Sequence, residues 1–78
     1  MSKRPNNKTH KTKCFAAIDA KHEIVSFFKK LPELGDDGNF YGDLMFEYPV
    51  NDFPKLTHQN SPYKAIYDGT TGEIIVKC

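Results

Sequence analysis

The 78-residue chain lacks any apolar run near the ~18 residues that a membrane-spanning helix needs. Its basic N-terminal stretch, MSKRPNNKTHKTK, is not followed by the apolar segment of a secretory signal, since CFAAI is short and leads into charged residues. Two cysteines, Cys14 and Cys78, are too few for the disulfide framework of a small secreted domain, and the sequence leaves open whether they pair. We therefore expect a cytoplasmic protein with no membrane partner.

The chain also lacks the paired ligand spacings of metal sites, since no CxxC or HxxxH motif occurs. The stretch DGNFYGD, which begins at Asp37, matches the first, third and sixth positions of a calcium-binding loop. However, Tyr41 and Tyr48 stand where that loop needs a further oxygen ligand and a bidentate glutamate. We expect no metal site and no cofactor.

No constellation of residues in the chain identifies a reaction. His22 and His58 could act as general acids or bases near neutral pH. A chain of 78 residues nevertheless has little room to enclose a catalytic cleft. We expect a protein that acts by binding and is not an enzyme, whereas an enzyme would depend on His22 or His58.

Charge of each sign is missing from a different part of the chain, although the formal net charge is only +1. Residues 1–13 contain no acid, and their basic side chains are His10, Lys3, Arg4, Lys8, Lys11 and Lys13. Residues 31–54 contain no Lys, Arg or His, and their carboxylates are Glu33, Asp36, Asp37, Asp43, Glu47 and Asp52. Each block can attract a partner of opposite charge, an effect that acts mainly on association rate and partner choice.

The stretch DAKHEIVSFFKKL, residues 19–31, predicts an amphipathic helix. Asp19 suits the N-cap, because its carboxylate can accept a hydrogen bond from an early helix N–H. Pro32 disfavours a helical backbone at the preceding residue and would end the helix. The apolar residues at helical spacing are Ala20, Ile24, Val25, Phe28 and Leu31.

The remaining apolar segments predict β-strands. TKCFAAI (12–18) is a short β-compatible run, and DLMFEYPV (43–50) alternates, with Leu44, Phe46, Tyr48 and Val50 on the buried face. Pro49 cannot donate to a β-ladder, which indicates either an edge strand or a bulge at this residue. YKAIY and EIIVK, joined by DGTTG, predict a C-terminal β-hairpin.

These elements predict the α+β class, with one amphipathic helix packed on a small, mainly antiparallel sheet in the order β-α-β-β-β. The domain would occupy residues 12–78 and end in the β-hairpin. Residues 1–11, which have no apolar side chain after Met1, would form a flexible basic arm.

The acidic stretch is the candidate working surface, because it combines carboxylates with aromatic side chains typical of protein-binding hot spots. We expect it to bind a basic groove on a larger protein and to inhibit or modulate that protein, with the carboxylates imitating nucleic-acid phosphate. The predicted partner-binding residues are Asp36, Asp37, Phe40, Tyr41, Asp43 and Glu47.

The alternative is nucleic-acid binding through the basic arm, whose charges would lie along phosphates. Tyr63 or Tyr67 would then stack on bases. No known nucleic-acid-binding motif is present, and the acidic stretch would repel phosphate. The arm residues for this alternative are Lys3, Arg4, Lys8, Lys11 and Lys13.

Overall fold

The computed structural model describes residues 11–77 and shows seven β-strands. The elements are β1 (Lys11–Ile18), β2 (Ile24–Phe28), β3 (Glu33–Leu34), β4 (Phe40–Tyr41), β5 (Leu44–Pro49), a short 3-10 helix (Val50–Asp52), β6 (Tyr63–Asp68) and β7 (Ile74–Val76). Five strands form one antiparallel sheet in the order β5-β2-β1-β6-β7, and β3 pairs with β4 separately. Within residues 11–77, no helix is long and apolar enough to cross a membrane.

The predicted α+β class with its amphipathic helix over residues 19–31 is wrong. Within that segment, residues 19–23 form the turn between β1 and β2, residues 24–28 are strand β2, and residues 29–31 follow the strand. Asp19 does not cap a helix. Its Oδ1 accepts hydrogen bonds from the backbone N–H groups of Glu23 (2.7 Å) and Ile24 (2.9 Å), which closes the turn. His22 has a φ of 59°, a left-handed conformation that a helix cannot contain.

The apolar residues of β2 alternate between the two faces of the sheet instead of following a helical stripe. Val25 and Phe27 are fully buried on one face, whereas Ile24 is 38% exposed and Ser26 is half-buried. Phe28 is also buried, although it lies next along the chain from Phe27. Both faces of the sheet are therefore covered at β2, and its nearly continuous apolar run fits a helix and a strand equally well.

The other predicted strands are present. The strand predicted over 12–18 is β1, and the strand predicted over 43–50 is β5, which lies at an edge of the sheet. Leu44 is 52% exposed and does not join the buried face, because the register between β2 and β5 shifts between Phe27 and Phe28. β6 and β7 form the C-terminal hairpin. The predicted arm lies outside the described residues except for Lys11, which begins β1.

The core lies on the face of the sheet that carries Val25 and Phe27, which we call the first face. Rows of paired residues cross this face. Ala16 of β1 pairs with Phe27 of β2, which pairs with Phe46 of β5. Phe53 and Leu56, in the connection after β5, pack against this face. Phe27 is at the centre, since its ring lies 5.1 Å from the Phe46 ring and 5.4 Å from the Phe53 ring, measured between centroids.

On the second face, the chain between β2 and β5 turns back over the sheet. We call residues 29–43, which include β3 and β4, the folded-back hairpin. The first and last residues of this hairpin are hydrogen-bonded to each other, since Lys29 N donates to Asp43 O at 2.8 Å. A Cβ atom at Gly42 would lie 3.3 Å from Phe28 Cδ1, so the hairpin backbone runs directly against the buried Phe28 ring. The hairpin thus forms a second layer over part of the sheet.

Candidate functional site

The folded-back hairpin ends in a turn organised by the carboxylate of Asp37. Asp37 Oδ1 accepts a hydrogen bond from Asn39 N at 3.0 Å, and Asp37 Oδ2 accepts one from the Tyr41 hydroxyl. The hydrogen bond from Tyr41, followed by that from the Asn39 backbone, lowers the pKa of Asp37. The same contact raises the pKa of Tyr41. Asp37 is therefore a fixed negative charge at neutral pH.

The hairpin turn is anchored to two other parts of the chain. Asn39 Oδ1 accepts a hydrogen bond from Ala20 N, in the β1–β2 turn, at 2.9 Å. His58 Nε2 donates to Gly38 O at 2.6 Å, and the Phe40 ring lies 5.8 Å from the His58 ring. Phe40 is consequently half-buried and holds the hairpin in place.

His58 also contacts the turn between β1 and β2. Its backbone N–H donates to His22 Nε2 at 3.3 Å, so the proton of a neutral His22 ring is on Nδ1. The two rings lie 6.2 Å apart between centroids. His22 and His58, the candidate acid–base residues, thus contact each other, and His58 alone also contacts the hairpin backbone.

The folded-back hairpin and strand β5 carry exposed large apolar side chains among carboxylates. Leu31 is 64% exposed, Leu34 61% and Tyr41 56%. Glu33 is paired with Tyr41 across the hairpin, which places a carboxylate beside the tyrosine. We call this the acidic-apolar surface; its members are Leu31, Leu34, Tyr41, Leu44, Glu33, Asp36, Asp37, Asp43 and Glu47, all of them exposed.

A cavity of about 220 Å³ lies between the hairpin and the sheet. From the sheet it is lined by Ala17, Ser26 and Glu47, which form one paired row across β1, β2 and β5. From the hairpin it is lined by Phe40 and Tyr41, among others. The cavity therefore brings Glu47 of β5 together with Phe40 and Tyr41 of the folded-back hairpin.

The structure brings together only part of the predicted partner-binding set. Asp37 contacts Tyr41 directly, and Glu47 shares the cavity with Tyr41. Asp36 lies in the turn beside Asp37, whereas Asp43 lies at the opposite end of the hairpin, where it leaves the sheet.

Sequence reasoning missed the exposed leucines of this surface. The sequence predicts Leu31 within the helix and Leu44 on the buried face of a strand, whereas both side chains are exposed. The sequence did contain a signal, since PELGDDGNFYG has turn residues between short apolar runs and is typical of a β-hairpin.

The residues of the nucleic-acid alternative are only partly described. Lys3, Arg4 and Lys8 lie outside the described residues, whereas Lys11 and Lys13 are exposed on β1. Lys64 of β6 and Lys77, which follows β7, are further exposed basic side chains of this sheet.

The two tyrosines proposed to stack on bases are engaged in the fold. Tyr63 is buried, and its hydroxyl accepts a hydrogen bond from Thr57 N at 2.9 Å. The Tyr67 ring packs on Phe46 with 4.9 Å between centroids. The Tyr63 ring is therefore not available for base stacking, and the Tyr67 ring is partly covered by Phe46.

No family model matches this chain, and no curated protein or solved structure matches it either. In the part of the chain that the structure describes, no group of three or more His, Cys, Asp or Glu side chains is arranged to hold a metal ion.

Proposed function

We propose that this chain is a small binding protein that inhibits or modulates a larger protein through its acidic-apolar surface. One observation carries the proposal. Among the described residues, the large hydrophobic side chains with the greatest exposure are concentrated on or beside the folded-back hairpin, where the carboxylates also lie. Apolar anchors within a charged rim are the composition of protein-binding hot spots.

The two kinds of side chain have different roles in this proposal. Leu34 and Tyr41 provide apolar area that becomes buried on binding, and each is more than half exposed in the free protein. The carboxylates attract a positively charged partner and disfavour neutral or acidic ones. Asp37 contributes a charge whose position is already set by its hydrogen bonds, so little order is lost on binding.

The partner that fits this surface is a protein with a basic groove. The hairpin carries carboxylates at its turn, along β3 and at the point where it leaves the sheet. A groove that binds nucleic acid presents lysine and arginine side chains to phosphates, and a narrow hairpin bearing these carboxylates can occupy it instead. Occupation of the groove would block its normal ligand, which is the proposed route to inhibition.

A cytoplasmic location belongs to the same proposal. Cys14 is a free cysteine and is buried, and burial raises the pKa of its thiol. A free thiol in the core is typical of proteins from reducing compartments.

The test is affinity capture with the full-length chain from a nuclease-treated cell lysate, followed by measurement of Kd for the purified partner. The test variant is Asp36→Lys/Asp43→Lys, which leaves the hydrogen bonds of Asp37 intact. The matched control is Asp52→Lys/Glu73→Lys, which makes the same charge change at exposed positions outside the hairpin. We expect the test variant to weaken binding by about 10- to 30-fold and the control to have little effect.

A second pair of variants tests the apolar anchors. Leu34→Ser removes a side chain of the acidic-apolar surface, and Ile75→Ser removes a similarly exposed side chain from β7. Loss of binding only in Leu34→Ser supports the proposal. Equal loss in both charge variants, or disappearance of the captured protein after nuclease treatment, contradicts it.

A further inference from the structure

The folded-back hairpin covers only part of the second face of the sheet and leaves β6 and β7 open on that side. Lys13 of β1 pairs with Ile66 of β6, which pairs with Ile75 of β7. In the next row, Phe15 pairs with Lys64. Lys77 continues that row, since its backbone N donates to Lys64 O at 2.8 Å. We call the residues Lys11, Lys13, Phe15, Lys64, Ile66, Ile75 and Lys77 the basic sheet face.

The basic sheet face is concave and strongly positive. Its four lysines are all exposed. A groove of about 280 Å³ is lined by Lys13, Phe15, Lys64, Ile66 and Lys77, among others. A neighbouring groove of about 390 Å³ shares Lys64 and Lys77 and adds Lys55, which extends the positive surface toward the connection before β6.

Two acids, Asp68 and Glu73, lie at the end of this face, where Asp68 N donates to Glu73 O at 2.8 Å. Asp68 pairs with Lys11 in the row farthest from Lys77, and Asp68 Oδ1 accepts a hydrogen bond from Thr70 N at 2.9 Å. Its carboxylate is thus engaged in the turn between β6 and β7. The central rows of the face contain only basic and apolar side chains.

We infer that the basic sheet face binds single-stranded nucleic acid. Charge complementarity identifies the occupant, because a surface with four exposed lysines needs a ligand that carries a regular series of negative charges. The apolar side chains between the lysines suit the flat faces of unpaired bases. Phe15 is half-exposed and lies beside Lys64, so a base can stack on its ring while a phosphate meets the ammonium group.

The shape of the face favours a single strand over a duplex. The residues lie on adjacent antiparallel strands, and within residues 11–77 this face projects no helix or β-ribbon that could enter a duplex groove. The bases of a duplex are stacked within it and cannot reach Phe15. The acidic hairpin bounds the groove on the β2 and β5 side and repels phosphate, so the bound strand would lie over β1, β6 and β7.

The inference is tested by fluorescence anisotropy with the full-length chain and a labelled single-stranded oligonucleotide of about 12 nucleotides, a length within the range of one small binding surface. We expect log K to fall linearly with log salt concentration, with a slope of about −2 to −3 for four lysine contacts. Lys64→Glu/Lys77→Glu should weaken binding at least about tenfold and make the slope shallower by about 1.4. Lys21→Glu, an exposed lysine in the β1–β2 turn, is the control and should change affinity little.

Base stacking is tested separately from charge at Phe15. Phe15→Leu keeps an apolar side chain but removes the ring, and we expect affinity to fall about 5- to 150-fold, the range for loss of one stacked base. Phe15→Tyr retains the ring and should bind as the unchanged protein does. Circular dichroism of each variant shows whether its fold is intact, so that loss of binding is scored only for folded variants.

Several outcomes would overturn the inference. One is the absence of salt-dependent binding at about 50 mM salt, where lysine–phosphate contacts are strong. Another is binding that is lost on deletion of residues 1–10 but unchanged in Lys64→Glu/Lys77→Glu, which would assign it to the N-terminal segment. Equal affinity for duplex, or binding to phosphatidylserine vesicles but not to the oligonucleotide, would identify a different polyanion as the ligand.

Discussion

At the scale of single residues, the hydrogen bond between Tyr41 and Asp37 links the charge of the hairpin to its fold. The bond lowers the pKa of Asp37 and raises the pKa of Tyr41 relative to their ordinary values. Both shifts favour the same pair, an ionised carboxylate and a neutral phenol. Folding stability should therefore decline at both extremes of pH through this one contact.

The first prediction concerns acid pH. Because the pKa of Asp37 is lower in the folded state, its contribution to stability is present above the unfolded value and is lost as pH falls through the folded value, below about pH 4. Tyr41→Phe removes the main cause of the shift. The variant should show a smaller decrease in Tm than the unchanged protein between about pH 6 and pH 2.5.

The alkaline side provides the internal check on that prediction. The pKa of Tyr41 is higher in the folded state, so its contribution is complete below about pH 10 and is lost as pH rises through the folded value. Identical Tm profiles for the unchanged protein and Tyr41→Phe at both extremes would show that the hydrogen bond does not persist in solution.

The second prediction concerns the space that Gly35 leaves for Tyr41. A Cβ atom at Gly35 would lie 2.6 Å from Tyr41 Cε2, which is closer than two carbon atoms can approach. Gly35→Ala should move the tyrosine ring and break its bond to Asp37. A nuclear magnetic resonance titration should then show the Asp37 carboxyl with a pKa closer to its ordinary value than in the unchanged protein.

Gly72→Ala is the matched control for that substitution. Gly72 has a positive φ of 78° and nothing within 4 Å of its missing Cβ, so alanine there adds backbone strain of about 1–2 kcal/mol without touching the folded-back hairpin. The Asp37 titration should be unchanged in Gly72→Ala. A similar change in both variants would mean that the shift reflects general loss of stability.

At the scale of elements, residues 19–31 show where sequence reasoning succeeded and where it failed. The strands β1 and β5 and the β6–β7 hairpin were predictable, because their apolar residues alternate or are bounded by turn residues. β2 was not predictable from its pattern, since burial on both faces removes the alternation. Its β-branched and aromatic composition, IVSFF, was the remaining indication of a strand.

The candidate site was predictable as a charge pattern but not as a surface. The acidic block is read directly from the sequence, and its glycines and aspartates indicate a turn. Which apolar side chains remain exposed depends on the folding back of residues 29–43. That packing rests on contacts such as the hydrogen bond from His58 to Gly38 O, which are 20 residues apart, and local sequence patterns do not report such contacts.

The third prediction tests the turn between β1 and β2, where the sequence predicted the start of a helix. Asp19→Ala removes the acceptor of two backbone hydrogen bonds and should destabilise the protein by about 1 kcal/mol. Asp19→Asn keeps one side-chain oxygen and should lose less. Urea denaturation measures both effects, and equal stability of Asp19→Ala and the unchanged protein would contradict the assigned role.

At the scale of the whole molecule, one face of the sheet carries two surfaces of opposite charge. The first face is closed by the core, and the second face is divided between the acidic hairpin and the basic sheet face. The two proposed binding surfaces therefore share no residue. Variants that disable one surface leave the other intact, so the proposals can be supported or rejected independently.

The last prediction concerns the core that holds both surfaces in place. Phe27 is fully buried and contacts the rings of Phe46, Tyr48 and Phe53, so Phe27→Ala should cost about 3–5 kcal/mol. The total stability expected for a chain of 78 residues is about 4–12 kcal/mol, so the loss is a large share of the whole. Because β2 is the strand from which the folded-back hairpin departs and the partner of β1, binding at both surfaces should weaken together in this variant. Phe27→Leu leaves a smaller cavity and should cost about half as much. Urea denaturation together with both binding assays checks this, and loss of one binding activity alone would mean that the two surfaces do not depend on a common core.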